Sequence, residues 1–273
     1  MSEQGFNFPS LIEKYDIDLS TYSDRQKIEI IEYCMLQMFD NIAEELPVDH
    51  FVHAGMYYRA LSIPEGVCLT GKIHFDDHIC ILEKGDLSVM TDDGMKRLQA
   101  PARFQARSGL KKIGYAHTDV IFSTVHKTDL TDLEEIENVL FGEGDISWVE
   151  NLFDFKDFLI EFGLDEKKVW DMSRNESDMI ELDVDYSIIV KDSKIQGVGL
   201  FATKDINEGD LIAPSRIDGH RTIAGRYTNH SYSYNATMIM KENKDMDLIA
   251  LANIKDGEEI TIDYREALLC QQQ

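Results

Sequence analysis

The chain reads as a mainly β protein with helical additions, an α+β chain in four stretches: an N-terminal helical segment (1–50), a β-barrel (51–128), a helical connector (129–182) and a compact C-terminal β fold (183–273). Three observations lead there. Between Tyr57 and Lys127, short β-forming runs alternate with Gly and Pro punctuation, the texture of a jelly roll or closed barrel. On either side, apolar residues recur at spacings of three and four behind Ser or Thr capping signals, the period of helices with one buried face. Near the C-terminus two stretches echo one another. Asp205–Asp210 (DINEGD) and Asn253–Glu258 (NIKDGE) each follow an apolar run and end at a Gly-acid turn, so each reads as strand, turn, strand. At 273 residues the chain buries a sizeable core as one large domain or two modest ones.

Lys and Arg number 27 against 51 Asp and Glu, a net charge of −24. Such a surface repels nucleic-acid phosphates, which need clustered basic residues, so no nucleic-acid partner is expected. It favours cationic partners and speeds the approach of a lysine-bearing substrate, more so at low salt. An acidic surface that serves only solubility is the plainer reading. The apolar runs fall short of a membrane span, and Met-Ser-Glu-Gln opens without a basic stretch or apolar signal core. No membrane association and a cytoplasmic location are therefore expected. Cys34, Cys68, Cys80 and Cys270 form no CxxC pair, which speaks against a zinc site or disulfide framework and fits a reducing cytosol.

Taken in order, Ser23 with Gln26 makes a capping box that opens a helix. Its Ile28, Ile31, Met35, Met38, Ile42 and Leu46 share one face until Pro47 stops it. About three heptads is short for a coiled-coil seam, so the helix is expected to cover the following domain. Candidate strands are Tyr57–Ile63, Val67–His74, Ile79–Glu83, Asp86–Thr91, Met95–Gln99, Ala102–Ala106, Lys112–Ala116 and Val120–Lys127, with a hairpin turn at Asp93-Gly94.

The stretch YYRALSIPEGVCLTGKIHFDDHICILEKGDLSV resembles a cupin, a likeness that covers Tyr57 to about His126. Many cupins hold a metal with a His-x-His pair, a Glu and a later His. Here His74 and His78 stand four apart, Glu83 follows, and His126 lies far downstream. On a straight strand, residues four apart are about 13 Å from each other, too far for one ion with ligand bonds of about 2 Å. A turn at Phe75-Asp76-Asp77 would fold them together. The expectation is nevertheless no metal: His74 and His78 read as polar lining or hydrogen-bonded turn residues, and they and His126 are the ligand candidates if an ion binds. An organic ligand in the barrel mouth is the alternative use of such a barrel.

Residues 129–181 read as helical. Thr131 with Glu134 forms a capping box ahead of Leu133, Ile136 and Leu140, and Gly142 ends the run. GEGD (Gly142–Asp145) is the linker candidate. Ser147 with Glu150 then caps a stripe of Trp148, Leu152, Phe155, Leu159 and Phe162, with Gly163 as the stop. These helices are expected to bridge the two β-rich parts.

The last part begins near Asp183 with DVDYSIIVKDS, a strand ending in a polar turn. Gly197-Val198-Gly199 is followed by LFATKDI, which alternates like a strand. A nucleotide-binding glycine loop needs a helix there, so no Rossmann site is expected. A loop of small residues still lets backbone approach a ligand.

With Gly197–Gly199 ahead, RYTNHSYSYN (Arg226–Asn235) in the middle and Asp263-Tyr264 at the end, roughly the last third of the chain resembles the SET domain of protein lysine methyltransferases. The resemblance implies that Gly197, Val198 and Gly199 approach the methionine end of S-adenosylmethionine. It further implies that the Asn229 side chain and His230 backbone hold this cofactor, with Arg226 and Tyr227 as supports. Tyr264 then lines the channel where lysine meets the methyl donor, with Tyr227 as the second candidate catalytic residue. The chemistry agrees. An amide offers both donors and acceptors, and methyl transfer from a sulfonium is an in-line displacement that needs alignment above all. The attacking lysine must be neutral although its free pKa is about 10.4, and a dry pocket lowers that value. Asp263 is read as holding the turn.

The sequence also departs from the family. The usual Ser-Cys-x-Pro-Asn after Asn-His is Ser231-Tyr232-Ser233-Tyr234-Asn235, no cysteine cluster follows Tyr264, and the span from Ile212 to Arg226 is short where the family forms its substrate groove. Tyr232 or Tyr234, a neighbouring subunit or the barrel is left to close the site. A cupin-like barrel followed by a compact SET domain resembles phage and bacterial proteins, which implies a non-histone substrate and, for a phage protein, the host cytoplasm.

Two readings follow: an S-adenosylmethionine-dependent methyltransferase acting on lysines of a protein, or a non-catalytic assembly protein whose barrel drives a homo-oligomer while the SET part is scaffold. A metal-dependent cupin enzyme is a third.

Overall fold

The computed structural model describes residues 9–38 and 46–271. The chain divides into two compact units between Ile146 and Ser147.

In the first unit α1 (Pro9–Lys14) precedes α2 (Asp24–Met38). The capping box forms: Ser23 N–H donates to Gln26 Oε1 at 3.0 Å and Gln26 N–H to Ser23 Oγ at 3.3 Å. Among the described side chains of α2, Ile28, Ile30, Cys34 and Met35 are buried, beside Glu29. Ion pairs from Arg25 to Asp92 (3.5 Å) and Glu32 to Lys111 (2.7 Å) hold the helix on the barrel it covers. Of the expected apolar face, Ile42 lies outside the described residues and Leu46 is not helical.

The barrel comprises β1 (Val48–His53), β2 (Met56–Ile63), β3 (Cys68–Gly71), β4 (Ile73–His74), β5 (His78–Lys84), β6 (Asp86–Thr91), β7 (Gly94–Gln99), β8 (Ala102–Ala106), β9 (Lys112–Ala116) and β10 (Val120–Lys127). Its two main sheets run β1-β2-β10-β5-β8 and β3-β9-β6-β7, all neighbours antiparallel. Ile63 and Leu82 from one sheet meet Leu87, Val89 and Ala116 from the other, the interdigitated core of a jelly roll.

Four expectations change here. β1 was not anticipated; it pairs with β2 through a turn at Ala54-Gly55, both at positive φ. The run Val67–His74 breaks at Lys72 into β3 and β4. The hairpin between β6 and β7 centres on Asp92-Asp93, since Thr91 pairs with Gly94. The helix after the barrel, α3 (Leu133–Leu140), is capped one residue later than the Thr131–Glu134 pair predicts: Asp132 Oδ1 accepts the Glu135 N–H at 3.0 Å. Gly142 follows in a short strand, β11 (Phe141–Gly142), paired with β4.

The second unit opens with α4 (Ser147–Glu161), stopped by Gly163 at φ +61°, and α5 (Glu166–Arg174); residues 175–187 carry no helix. Then come β12 (Ile188–Asp192), β13 (Val198–Ala202), β14 (Leu211–Ile217), β15 (His220–Arg221), α6 (Ile223–Tyr227), β16 (Asn229–His230), β17 (Ala236–Met240), β18 (Met246–Ala250), β19 (Glu259–Ile262) and α7 (Tyr264–Gln271). They form the sheets β12-β13-β19-β16 and β15-β14-β18-β17. Of the expected glycine loop only Gly197, at φ +50°, lies in the turn; Val198 and Gly199 already belong to β13.

The echoing stretches pair with each other. Ile206 and Ile254 exchange backbone hydrogen bonds at 2.8 and 2.9 Å. Gly209 N–H reaches Ala250 O as Gly257 N–H reaches Ala202 O, both at 2.9 Å. Each turn carries the chain from one sheet to the other, β13 to β14 and β18 to β19, while β13 pairs with β19 and β14 with β18. Ile206 and Ile254 are buried in a core with Leu200, Ile212, Leu248 and Ile260.

Helix α6 is set on β14 at close range. Thr222 Oγ1 accepts the Ala224 N–H at 3.1 Å and donates to Pro214 O at 2.6 Å, and a Cβ at Gly225 would lie 2.0 Å from Ser215 O. Gly225→Ala is therefore expected to cost at least about 1–3 kcal/mol through overpacking. Both tryptophans, Trp148 and Trp170, lie in this unit, so tryptophan fluorescence follows its melting. An unchanged midpoint would refute the tight seat.

Candidate active site

Asn229 stands where three segments meet. Thr228 Oγ1 donates to Ala224 O at 2.6 Å and closes α6; the next two residues form β16, parallel to β19 with Asn229 opposite Thr261 and His230 opposite Ile262. From there Asn229 Nδ2 lies 3.1 Å from Val198 O, 3.3 Å from Gln196 O and 2.9 Å from Glu259 Oε1. Ser193 Oγ donates to the same Glu259 carboxylate at 2.8 Å. A Cβ at Gly199 would lie 2.2 Å from Glu259 Oε1 and 3.1 Å from Asn229 Nδ2, so these head groups need a glycine there. Asn229 Oδ1 has no protein donor among the described residues, and Arg226 Nε is buried without a partner.

His230 is buried and fully committed. Its Nδ1 accepts the Tyr264 N–H at 3.2 Å, which places the proton on Nε2, and Nε2 donates to Asp154 Oδ2 at 2.8 Å. Arg265 clamps Asp154 from the other side, at 3.1 Å to Oδ2 and 3.0 Å to Oδ1, and also reaches Glu161 at 2.9 Å. Burial lowers the His230 pKa against the pull of Asp154, so the ring stays neutral. The Asn235 side chain bonds Glu259 O and Thr261 N–H at 2.8 and 2.9 Å, fastening the far end of the loop to β19.

Tyr264 joins this group. Its hydroxyl donates to Thr228 O at 3.3 Å, and its ring lies 5.2 Å from His230 and 5.9 Å from Phe158, centroid to centroid. Burial pushes its pKa up to about 12, so the phenol remains protonated. Asp263 Oδ1 accepts the Arg265 N–H at 2.9 Å, holding the turn.

Thus Val198, Gly199, Asn229, His230 and Tyr264 come together. Gly197 serves the turn beside them, its carbonyl accepting the Ser193 N–H. Arg226 stacks its guanidinium 4.7 Å from the Tyr227 ring centre. Tyr227 is not drawn in: its hydroxyl donates to Glu176 at 3.1 Å. Tyr232 is solvent-exposed, and the Tyr234 hydroxyl meets Glu266 at 3.5 Å. Sequence reasoning missed Asn151, Asp154, Glu259 and Arg265. Asn151 Oδ1 accepts the Ser231 hydroxyl and the Tyr232 N–H. For Asn151 and Asp154 a signal existed, since both fall at helical spacing on the side of α4 that carries Phe155 and Phe158.

A second cluster lies in the first unit. The chain bends after His74, so the straight-strand separation does not apply: the His74 and His78 ring centres are 4.2 Å apart, and His126 lies 5.0 and 4.7 Å from them. One nitrogen from each lies within 4.8 Å of the others, a spacing that suits a metal. The donors, as arranged, do not. Lys112 Nζ sits 2.9 Å from His78 Nε2, and His74 Nδ1 and His126 Nε2 share a hydrogen bond at 3.1 Å, one donating and the other accepting, so these nitrogens are already engaged. Glu83 bonds Tyr58 at 2.5 Å and Ser123, away from the cluster. Burial, followed by the charge of Lys112, lowers the pKa of His74 and brings His78 to about 4; burial and His78 bring His126 to about 4.

Residues 214–265 match the family model of the SET domain. No curated protein matches the sequence. Among solved structures, the N-terminal part is similar to a cupin superfamily protein from Desulfitobacterium hafniense (9% identity, 34% of this chain and 86% of that one, TM-score 0.28). It is also similar to an RmlC-like cupin family protein with a double-stranded β-helix fold from Methanocaldococcus jannaschii (15%, 33% and 86%, 0.27) and to the Schizosaccharomyces pombe Cnp3 cupin domain (15%, 40% and 80%, 0.28). These comparisons do not support a phage or bacterial source. No helix among the described residues is long and apolar enough to cross a membrane.

Proposed function

We propose that the second unit, with its SET-domain match, transfers methyl groups from S-adenosylmethionine to lysine side chains of a protein. The observation that supports this most is the meeting of the Gln196–Gly199 segment, Asn229 and Tyr264, residues distant in sequence, around one amide side chain and one phenol. When bound, the cofactor supplies a methyl group on a sulfonium, open to in-line displacement.

The chain's own residues then have distinct tasks. Asn229 offers its free Oδ1 and the backbone of β16, Glu259 offers a carboxylate to a cationic group, and Arg226 Nε offers an unused donor to an anionic one. Asp154 and Arg265 fix the His230 ring, and with it the backbone on which Tyr264 is hung. Tyr264 stays a neutral phenol beside a carbonyl, a hydrogen-bonding wall for an amine. The net charge of −24 draws a lysine-rich partner toward the surface.

The test is calorimetric titration of the purified protein with S-adenosylmethionine, followed by incubation with labelled cofactor and a lysate and localisation of the label by mass spectrometry. Binding is expected, lost in Asn229→Ala, with label on protein lysines. No measurable affinity defeats the proposal; affinity without transfer to any protein leaves only the scaffold reading.

A further inference from the structure

We infer that the barrel of the first unit binds a small organic anion, a carboxylate carrying an apolar body, with its head group at Lys112 and Thr124. The barrel holds a cavity of about 1000 Å³, at the upper end of the range of small-molecule sites. Its lining has two ends, and the strand register produces them. Arg59 and Thr124 are direct partners across β2 and β10, so they share one face of the sheet; the neighbouring row on that face is Leu61 and Phe122, and all four line the cavity. Facing them on the second sheet, Lys112 stands beside the polar row, while Leu87 and Val89 extend the apolar one.

The polar end has donors in excess of acceptors. Among the described residues, Thr124 Oγ1 is buried with no partner, and Arg59 Nε is buried without a hydrogen bond although Glu137 lies 3.5 Å away. Behind them His126 Nδ1 is buried and unpartnered as well. Native interiors seldom leave such groups unsatisfied, because a buried polar atom without a partner has lost its water and gained nothing in exchange. Lys112 has three N–H groups and, among the described residues, meets only His78 Nε2 and, at 3.7 Å, Cys80 Sγ. Glu32 is paired with Lys111 and Glu137 with Arg59; among the described residues no carboxylate pairs with Lys112. A half-buried ammonium with no carboxylate partner among the described residues, next to a free hydroxyl, asks for a ligand with negatively charged oxygens. The Leu61, Phe122 and Val89 surface beyond it asks for an alkyl or aromatic body. A divalent cation is disfavoured by the same ammonium, a positive charge 2.9 Å from an imidazole nitrogen of the three-histidine cluster.

Calorimetric titration of the full-length protein with sodium octanoate tests this, with octylammonium chloride, octan-1-ol and zinc chloride in parallel. Octanoate is expected to bind one per chain, at least tenfold tighter than the amine or the alcohol. Lys112→Met should weaken it at least tenfold and Lys112→Arg should retain most of the affinity. Thr124→Val, nearly isosteric, should weaken it severalfold with a melting midpoint no lower than that of the wild type, since the lost hydroxyl has no partner among the described residues; this keeps the test decisive if Lys112→Met fails to fold. Octanoate binding no tighter than the amine, or indifferent to both Lys112→Met and Thr124→Val, overturns the inference. So does one-to-one zinc binding that is lost in His126→Gln, which would make the cluster a metal centre. Asn229→Ala should leave octanoate binding unchanged, so this result is separable from methyl transfer.

Discussion

Tyr264→Phe is expected to lower methyl transfer to protein lysines by about 10²–10³-fold, the usual cost of one oriented polar group at a reacting centre, with cofactor affinity nearly unchanged. The substitution keeps the ring that packs against Phe155, Phe158 and His230, so the melting midpoint of the second unit should hold. What is lost is the hydroxyl beside Thr228 O. The pH profile separates its role from that of a base. The Tyr264 pKa is about 12, so the phenol does not titrate below the range in which the substrate lysine loses its proton. Wild type and variant should therefore both speed up as pH rises from 7 toward 10, on parallel curves. Transfer by Tyr264→Phe at the wild-type rate would remove this residue from the site, and a profile that changes slope would make it a proton acceptor instead.

The second large effect is on stability. His74, His78 and His126 are held neutral in the first unit, by burial first and by Lys112 and one another next. Unfolded, each returns to about 6.5. Between pH 6.5 and about 4 the unfolded chain thus binds more protons than the folded one, and stability falls as pH falls. It is complete above about pH 6.5, and the contributions of His78 and His126 stop declining below about pH 4. Each group contributes a limiting slope of about 1.4 kcal/mol per pH unit, so about 4 kcal/mol per unit at most for the three together. The second unit has one such group, His230. Scanning calorimetry between pH 7 and 5 should therefore move the transition not seen by tryptophan fluorescence further than the one that is. Equal shifts would mean that the three imidazoles are not held neutral.

How far the sequence carries can be judged from particular elements. Asp86–Thr91, Ala102–Ala106, Lys112–Ala116 and Val120–Lys127 are strands to the residue, because Gly, Pro and Asp turn formers bracket each run. The Ser23–Gln26 box was legible because both partners lie within one turn. β1 was missed: in Val48–His53 only weak alternation marks a strand whose partner supplies most of the order. The cap of α3 slipped by a residue because Thr131 and Asp132 are both competent and the surrounding packing chose between them.

By itself the sequence determined the strand and helix texture, the repeat of Asp205–Asp210 in Asn253–Glu258, and the residue types around Asn229 and Tyr264. Those signals act over a few residues, through φ/ψ preference, capping and side-chain period. Only the tertiary structure decided that the two repeats pair with each other, that Asp154 reaches His230 across 76 positions, and that a bend at Phe75–Asp77 stacks three histidines beside Lys112. Such contacts depend on which surfaces meet when the sheets bury their apolar faces, and that is a property of the whole core, which no short window of sequence contains.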